Sequence, residues 1–133
     1  MACSRMESPV PDRAPRFAGV RVLVIEDETL IALLLEDMLR ELGCTILGSA
    51  STVESAIEML DRALPTVAVL DINLNGQKSY AVAETLADRG VKFIFSTGYT
   101  DGRLEAPWQG RPILQKPFGQ EQLAEALDAA LKA

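Results

Sequence analysis

The sequence predicts an α/β domain built on a parallel sheet, and three observations carry that prediction. The runs Val20–Ile25, Val67–Leu70 and Val91–Phe95 are short and almost continuously apolar, as strands buried on both faces are. Between them lie longer segments whose apolar residues recur at three and four, the spacing of amphipathic helices. Strand and helix alternate along the chain, a pattern that yields parallel βαβ units.

Taken in order, residues 1–17 hold Pro9, Pro11 and Pro15 with Arg5, Arg13 and Arg16 and follow neither period. They are expected to be a disordered leader ahead of one domain over 18–133. The first strand ends at Ile25. Thr29–Leu42 is the first helix, with Leu30, Ile31, Leu33, Leu34, Leu35, Met38 and Leu42 as its expected apolar residues and Gly43 as its stop. Thr45–Leu47 makes a short second strand. Ser51-Thr52-Val53-Glu54 has the capping-box spacing and opens a helix with Val53, Ile57 and Leu60 on one face, ending near Leu64-Pro65. Val67–Leu70 is the third strand, Ala81–Leu86 belongs to a helix ending at Gly90, and Val91–Phe95 is the fourth strand. Gly102, Pro107 and Gly110 break any long helix between Tyr99 and Pro112, so the fourth helix is expected to be short or irregular. Ile113-Leu114 closes the strands, and Leu123, Leu127 and Leu131 line a terminal helix beginning near Gln120.

The composition narrows the functional classes. A chain of 133 residues with 48% hydrophobic content buries one proper core without a disulfide framework. Cys3 and Cys44 read as free thiols in a reducing cytoplasm. A formal net charge of −6 opposes sequence-independent binding to nucleic acid. No run approaches the roughly 20 apolar residues that span a bilayer, and the first residues lack a signal-peptide apolar region. Protein partners and small phosphodonors fit better, with no membrane insertion.

The chemistry lies where the strands end. Glu26-Asp27 follows the first strand, Asp71 the third, Thr97-Gly98 the fourth and Lys116-Pro117 the fifth. Together they gather carboxylates, a hydroxyl and an ammonium at the carboxyl edge of a parallel sheet, where open α/β folds bind ligands. Each has a plainer reading. Glu26, Asp27 and Glu28 suit any helix N-terminus, and Asp71, ahead of Asn73, Asn75 and Gly76, suits an Asx turn. Combined, the carboxylates at Glu26, Asp27 and Asp71 are costly unless a cation or a lysine neutralises them, and hard, oxygen-seeking Mg²⁺ is the natural occupant. Asp71, ionised at neutral pH, is then a competent nucleophile for an aspartyl phosphate. Lys116 would place a point charge on the phosphoryl oxygens and Thr97 a hydroxyl. Lys116-Pro117 is open to either peptide isomer.

This ordered set, Glu26-Asp27, Asp71, Thr97 and Lys116-Pro117, resembles the signature of bacterial two-component receiver domains, over about Val20 to Ala133. Asp27 and Asp71 stand 44 residues apart, the usual receiver spacing. The resemblance implies a flavodoxin-like (βα)5 fold with sheet order 2-1-3-4-5. It also implies Mg²⁺ held by Asp27, Asp71 and the Asn73 backbone carbonyl, with Glu26 acting through a metal-bound water, and phosphotransfer from a histidine kinase. Phe93-Ile94-Phe95-Ser96-Thr97-Gly98-Tyr99 further resembles the FAT GUY subgroup of stand-alone receivers, although Ser96 stands for its alanine and Lys92 for its frequent proline. Ile113 replaces the Tyr or Phe that many receivers carry three residues before the lysine, which makes Tyr99 the candidate readout residue.

The expectation is therefore a single-domain response regulator, phosphorylated on Asp71 by a sensor histidine kinase or phosphotransfer protein. It would signal through contacts with a downstream protein or act as a phosphate carrier or sink. It would be no enzyme beyond its own phosphorylation and dephosphorylation. An aspartyl-phosphate hydrolase would need a second acid where Asn73 stands, and an FMN carrier would need a loop rich in Gly, Ser and Thr rather than Glu26-Asp27-Glu28. A phosphorylation-independent scaffold is the remaining alternative.

Overall fold

The computed structural model describes residues 16–98 and 104–132. Its elements are β1 (Arg21–Ile25), α1 (Thr29–Glu41), β2 (Thr45–Ala50), α2 (Val53–Arg62), β3 (Val67–Asp71), β4 (Asn73–Leu74), β5 (Gln77–Lys78), α3 (Tyr80–Asp88), β6 (Lys92–Thr97), β7 (Ile113–Gln115) and α4 (Gln120–Lys132), with a 3₁₀ turn at Ala106–Trp108 before β7. Five strands form one parallel sheet in the order β2-β1-β3-β6-β7, while β4 and β5 pair as a separate antiparallel hairpin. With the hairpin set aside, this is the expected order 2-1-3-4-5.

Alternation along each central strand sorts the core into two layers. Leu23 and Ile25 of β1, Ala68 and Leu70 of β3, and Phe93 and Phe95 of β6 face α2 and α3. Val22 and Val24, Val67 and Val69, and Ile94 face α1 and α4 on the other side. Both faces are covered, so after Arg21 and Lys92 at their starts no polar residue interrupts these strands before their carboxyl ends.

Helix α1 turns a different stripe inward than its leucine count predicts. Ala32, Leu35 and Leu39 are buried, whereas Leu30, Leu33 and Leu34 are 81%, 52% and 63% exposed. At 100° per residue those three lie on the side of the helix opposite the buried stripe. Small Ala32 shares the packed seam with Leu35 and Leu39, and Leu30, Leu33 and Leu34 stay out of it. The cap of α2 is also shifted by one residue from expectation. Thr52 is the N-cap, accepting from Ser55 N–H, while Ser55 Oγ accepts from Thr52 N–H. Serine thus does the work expected of Glu54.

The packed unit takes in Phe17, the last residue of the expected leader. Its ring is 4% exposed in the α1/α4 layer, and its N–H donates to Leu42 O at 3.1 Å. Arg16 stacks on that ring and pairs with Asp128 of α4. The irregular stretch before β7 is anchored by Trp108, 8% exposed among Tyr80, Phe93 and Phe95, so this tryptophan is a core residue. Among the described residues no helix is long and apolar enough to cross a membrane. Cys44 is buried as a free thiol, and burial pushes its pKa up to about 11. Tyr99 lies outside the described residues.

Candidate functional site

Parallel pairing brings the strand ends level. Ile25 is paired with Leu70, Asp71 with Ser96, and Thr97 with Gln115. Glu26, Asp27, Asp71, Thr97 and Lys116 therefore emerge along one edge of the sheet. Lys116 is tied to that edge by its own N–H, which donates to Thr97 O at 2.7 Å. The Lys116–Pro117 peptide is cis.

The side chains of Glu26, Asp27, Asp71 and Lys116 come together. Lys116 Nζ lies 3.0 Å from Glu26 Oε1 and 2.9 Å from Asp71 Oδ2. Carboxylate oxygens of Glu26, Asp27 and Asp71 lie within 4.8 Å of one another. Glu26 and Asp71 are each 4% exposed and Thr97 8%, and Asp27 is half-buried. Backbone donors hold the acids in place. Glu28 N–H reaches Glu26 Oε2 at 3.1 Å, Asn73 N–H reaches Asp71 Oδ1 at 3.2 Å, and Asn75 N–H reaches Asp27 Oδ2 at 2.9 Å. Asp71 thus makes the Asx-type turn and the lysine contact at once, one through each oxygen.

The electrostatics follow from burial. Desolvation, reinforced by the nearby Asp71 charge, raises the Glu26 pKa to about 7 against the opposing pull of the Glu28 N–H and Lys116. For Lys116, burial works against the charge, but hydrogen bonds and attraction to Asp71 and Glu26 prevail and raise its pKa. Among the described residues, Lys116 pairs with two of the three clustered acids, Glu26 and Asp71. That imbalance in a largely buried setting fits a divalent cation with oxygen ligands.

Two features next to this site escape sequence reasoning. One is the β4–β5 hairpin directly after Asp71. Its signal was the Asn75-Gly76 dipeptide, a favoured two-residue hairpin turn, but strands of two residues fall below any periodic pattern. The other is an apolar groove of about 380 Å³ between α1 and the β7–α4 loop, lined by Ile31, Leu34, Leu35, Pro117 and Phe118 and reaching Lys116. Leu34 is itself exposed, as are Leu30 and Leu33 of the same helix.

Comparison with known proteins agrees with this geometry. The model of the response regulator receiver domain matches residues 22–128. The structure of SdrG from Sphingomonas melonis Fr1 is 42% identical with a TM-score of 0.78, over 84% of this chain and 96% of that one. The transcriptional regulatory protein PdtaR of Mycobacterium tuberculosis is 28% identical over 95% of this chain and 63% of its own length. The positive alginate biosynthesis regulatory protein of Pseudomonas aeruginosa is 35% identical over 84% of this chain and 47% of its own length. The chain thus spans about half to two thirds of these curated relatives. With the receiver model covering most of its length and the acid–lysine edge in place, the chain belongs to the response regulator receiver domain family.

Proposed function

We propose that this receiver takes a phosphoryl group on Asp71 from a histidine kinase or phosphotransfer protein and passes the signal on through protein contacts or as a phosphate carrier. The observation that carries the reading is the arrangement around Asp71, a 4% exposed carboxylate with Lys116 Nζ at 2.9 Å and two further acids clustered against it. An Asp71 oxygen attacks phosphorus, the bond from phosphorus to the donor nitrogen breaks, and the donor imidazole leaves with the electron pair. Lys116 would put positive charge on a transferred phosphoryl oxygen, and Thr97 would offer that group a hydroxyl.

Asp27, Asp71 and the Asn73 carbonyl are the groups that would hold Mg²⁺, with Glu26 beside them. When bound, Mg²⁺ would offset the repulsion between these carboxylates and an anionic phosphodonor. The exposed leucines of α1 and the groove reaching Lys116 support an apolar protein surface as the natural donor's docking site. In this reading the domain works in the cytoplasm and turns over nothing but its own phosphoryl group.

Intact mass after incubation with a small phosphodonor tests the proposal. One phosphoryl group should appear on the wild type with Mg²⁺, and none on Asp71→Asn or after chelation. No addition under any condition, with cognate kinase failing too, would overturn phosphotransfer and leave a phosphorylation-independent scaffold.

A further inference from the structure

The chain leaving β3 folds back on itself and returns to its starting point at Ser79. Asn75 and Gly76 take positive φ values of 54° and 81° and close the Leu74–Gln77 pair of the β4–β5 hairpin, the turn geometry that matches strand twist. Leu74 is 2% exposed and fastens the hairpin to the core. At its base, Ser79 N–H donates to Ile72 O at 2.8 Å and Ser79 Oγ donates to Asp71 O at 2.5 Å.

Ser79 is an unusual serine. It occupies the N-cap of α3, yet its side chain makes no capping bond. Its hydroxyl, 0% exposed, is committed instead to the carbonyl of Asp71. A fully buried hydroxyl that forgoes a helix cap holds the hairpin base to the end of β3. At the other end of the same hairpin, Asn75 N–H reaches across the sheet edge to Asp27 Oδ2 at 2.9 Å. One eight-residue excursion therefore touches both the backbone of Asp71 and the carboxylate of Asp27.

We propose that the hairpin over residues 72–79 is a positioning clasp for the acidic site, with Ser79 fixing the Asp71 backbone and the Asn75 N–H fixing the Asp27 carboxylate before a divalent cation arrives. This rests on the reading of the site as cation-dependent. Partners that orient ligating groups tune metal affinity without touching the metal. The Asn75 contribution comes from its backbone, so the turn's conformation rather than the asparagine side chain is what matters.

The test is calorimetric titration of the whole chain with MgCl₂, with thermal unfolding of each metal-free variant alongside. Ser79→Ala and Asn75→Pro should weaken Mg²⁺ binding about 10-fold. Asn75→Gly keeps the N–H and accepts positive φ, so it should retain wild-type affinity. A merely structural hairpin would lower the metal-free midpoint and leave Mg²⁺ affinity unchanged. Wild-type affinity in Ser79→Ala overturns the proposal, even if Asn75→Pro fails to fold. Loss of affinity in Asn75→Gly overturns the backbone assignment. Because the titration reads the metal alone, a wild type that binds Mg²⁺ but takes no phosphoryl group would sink the proposed function without touching this comparison.

Discussion

Glu26 should make the metal-free domain weaken as pH rises, against the usual trend for carboxylates held by donors. Its pKa is raised by burial from 4.5 to about 7, so between those values the folded state keeps a proton that the unfolded chain has lost. A raised acid contributes stability below its unfolded pKa and loses that contribution as pH climbs through its folded pKa. A shift from 4.5 to about 7, at roughly 1.4 kcal/mol per unit, makes this loss about 2–3 kcal/mol over the span from pH 5 to pH 8. Lys116 adds no slope there, because its pKa is raised from 10.5 and it stays charged in both states. Urea unfolding with a chelator at pH 5, 6.5 and 8, on wild type and Glu26→Gln, isolates the effect. The gap between the two should close or reverse by about 2–3 kcal/mol in favour of the glutamine as pH rises. Mg²⁺ should act oppositely, since at a hundred times its Kd a ligand adds about 2.7 kcal/mol to the folded state, and its binding favours ionised Glu26. Parallel pH profiles for the two proteins would refute the reasoning.

Two other outcomes follow from burial and exposure. Phe17→Ala should cost about 3 kcal/mol in chemical denaturation, as large-to-small changes in packed cores do, because the ring is 4% exposed; a cost under about 1 kcal/mol would place Phe17 outside the folded unit. Leu34→Asp, at a position 63% exposed beside the groove, should slow phosphotransfer from a cognate kinase about 10-fold while leaving uptake from a small phosphodonor unchanged. Equal slowing with both donors would remove the docking role.

What the sequence made legible was set by periodicity and position. Buried strands announce themselves because both faces demand apolar residues, and Glu26, Asp27, Asp71, Thr97 and Lys116 stand out because each breaks such a run at its end. Parallel pairing then aligns those ends almost without further information. Helix α1 was harder to orient because apolar residues surround its first turns, so the phase of its pattern is ambiguous. Ala32 marks the buried side but carries little hydrophobic weight. The hairpin escaped because its stability comes from positive φ at Asn75 and Gly76, the burial of Leu74 and the hydroxyl of Ser79, none of which forms a repeating pattern. The Thr52–Ser55 cap lay one residue from its expected place because a serine closes the box where the spacing looks for Glu or Gln, so the spacing pointed to Ser51 and Glu54 instead.

The aromatic cluster provides a direct optical handle on this domain. Trp108 is the chain's single tryptophan, and its indole stacks on Tyr80 with ring centres 6.5 Å apart and planes 10° from parallel. Tyr80 follows Ser79 and its hydroxyl accepts the N–H of Glu105 at 3.3 Å. Emission from one fluorophore thus samples the joint between the start of α3 and the segment leading into β7, so intrinsic fluorescence can follow that joint in real time on the unlabelled protein.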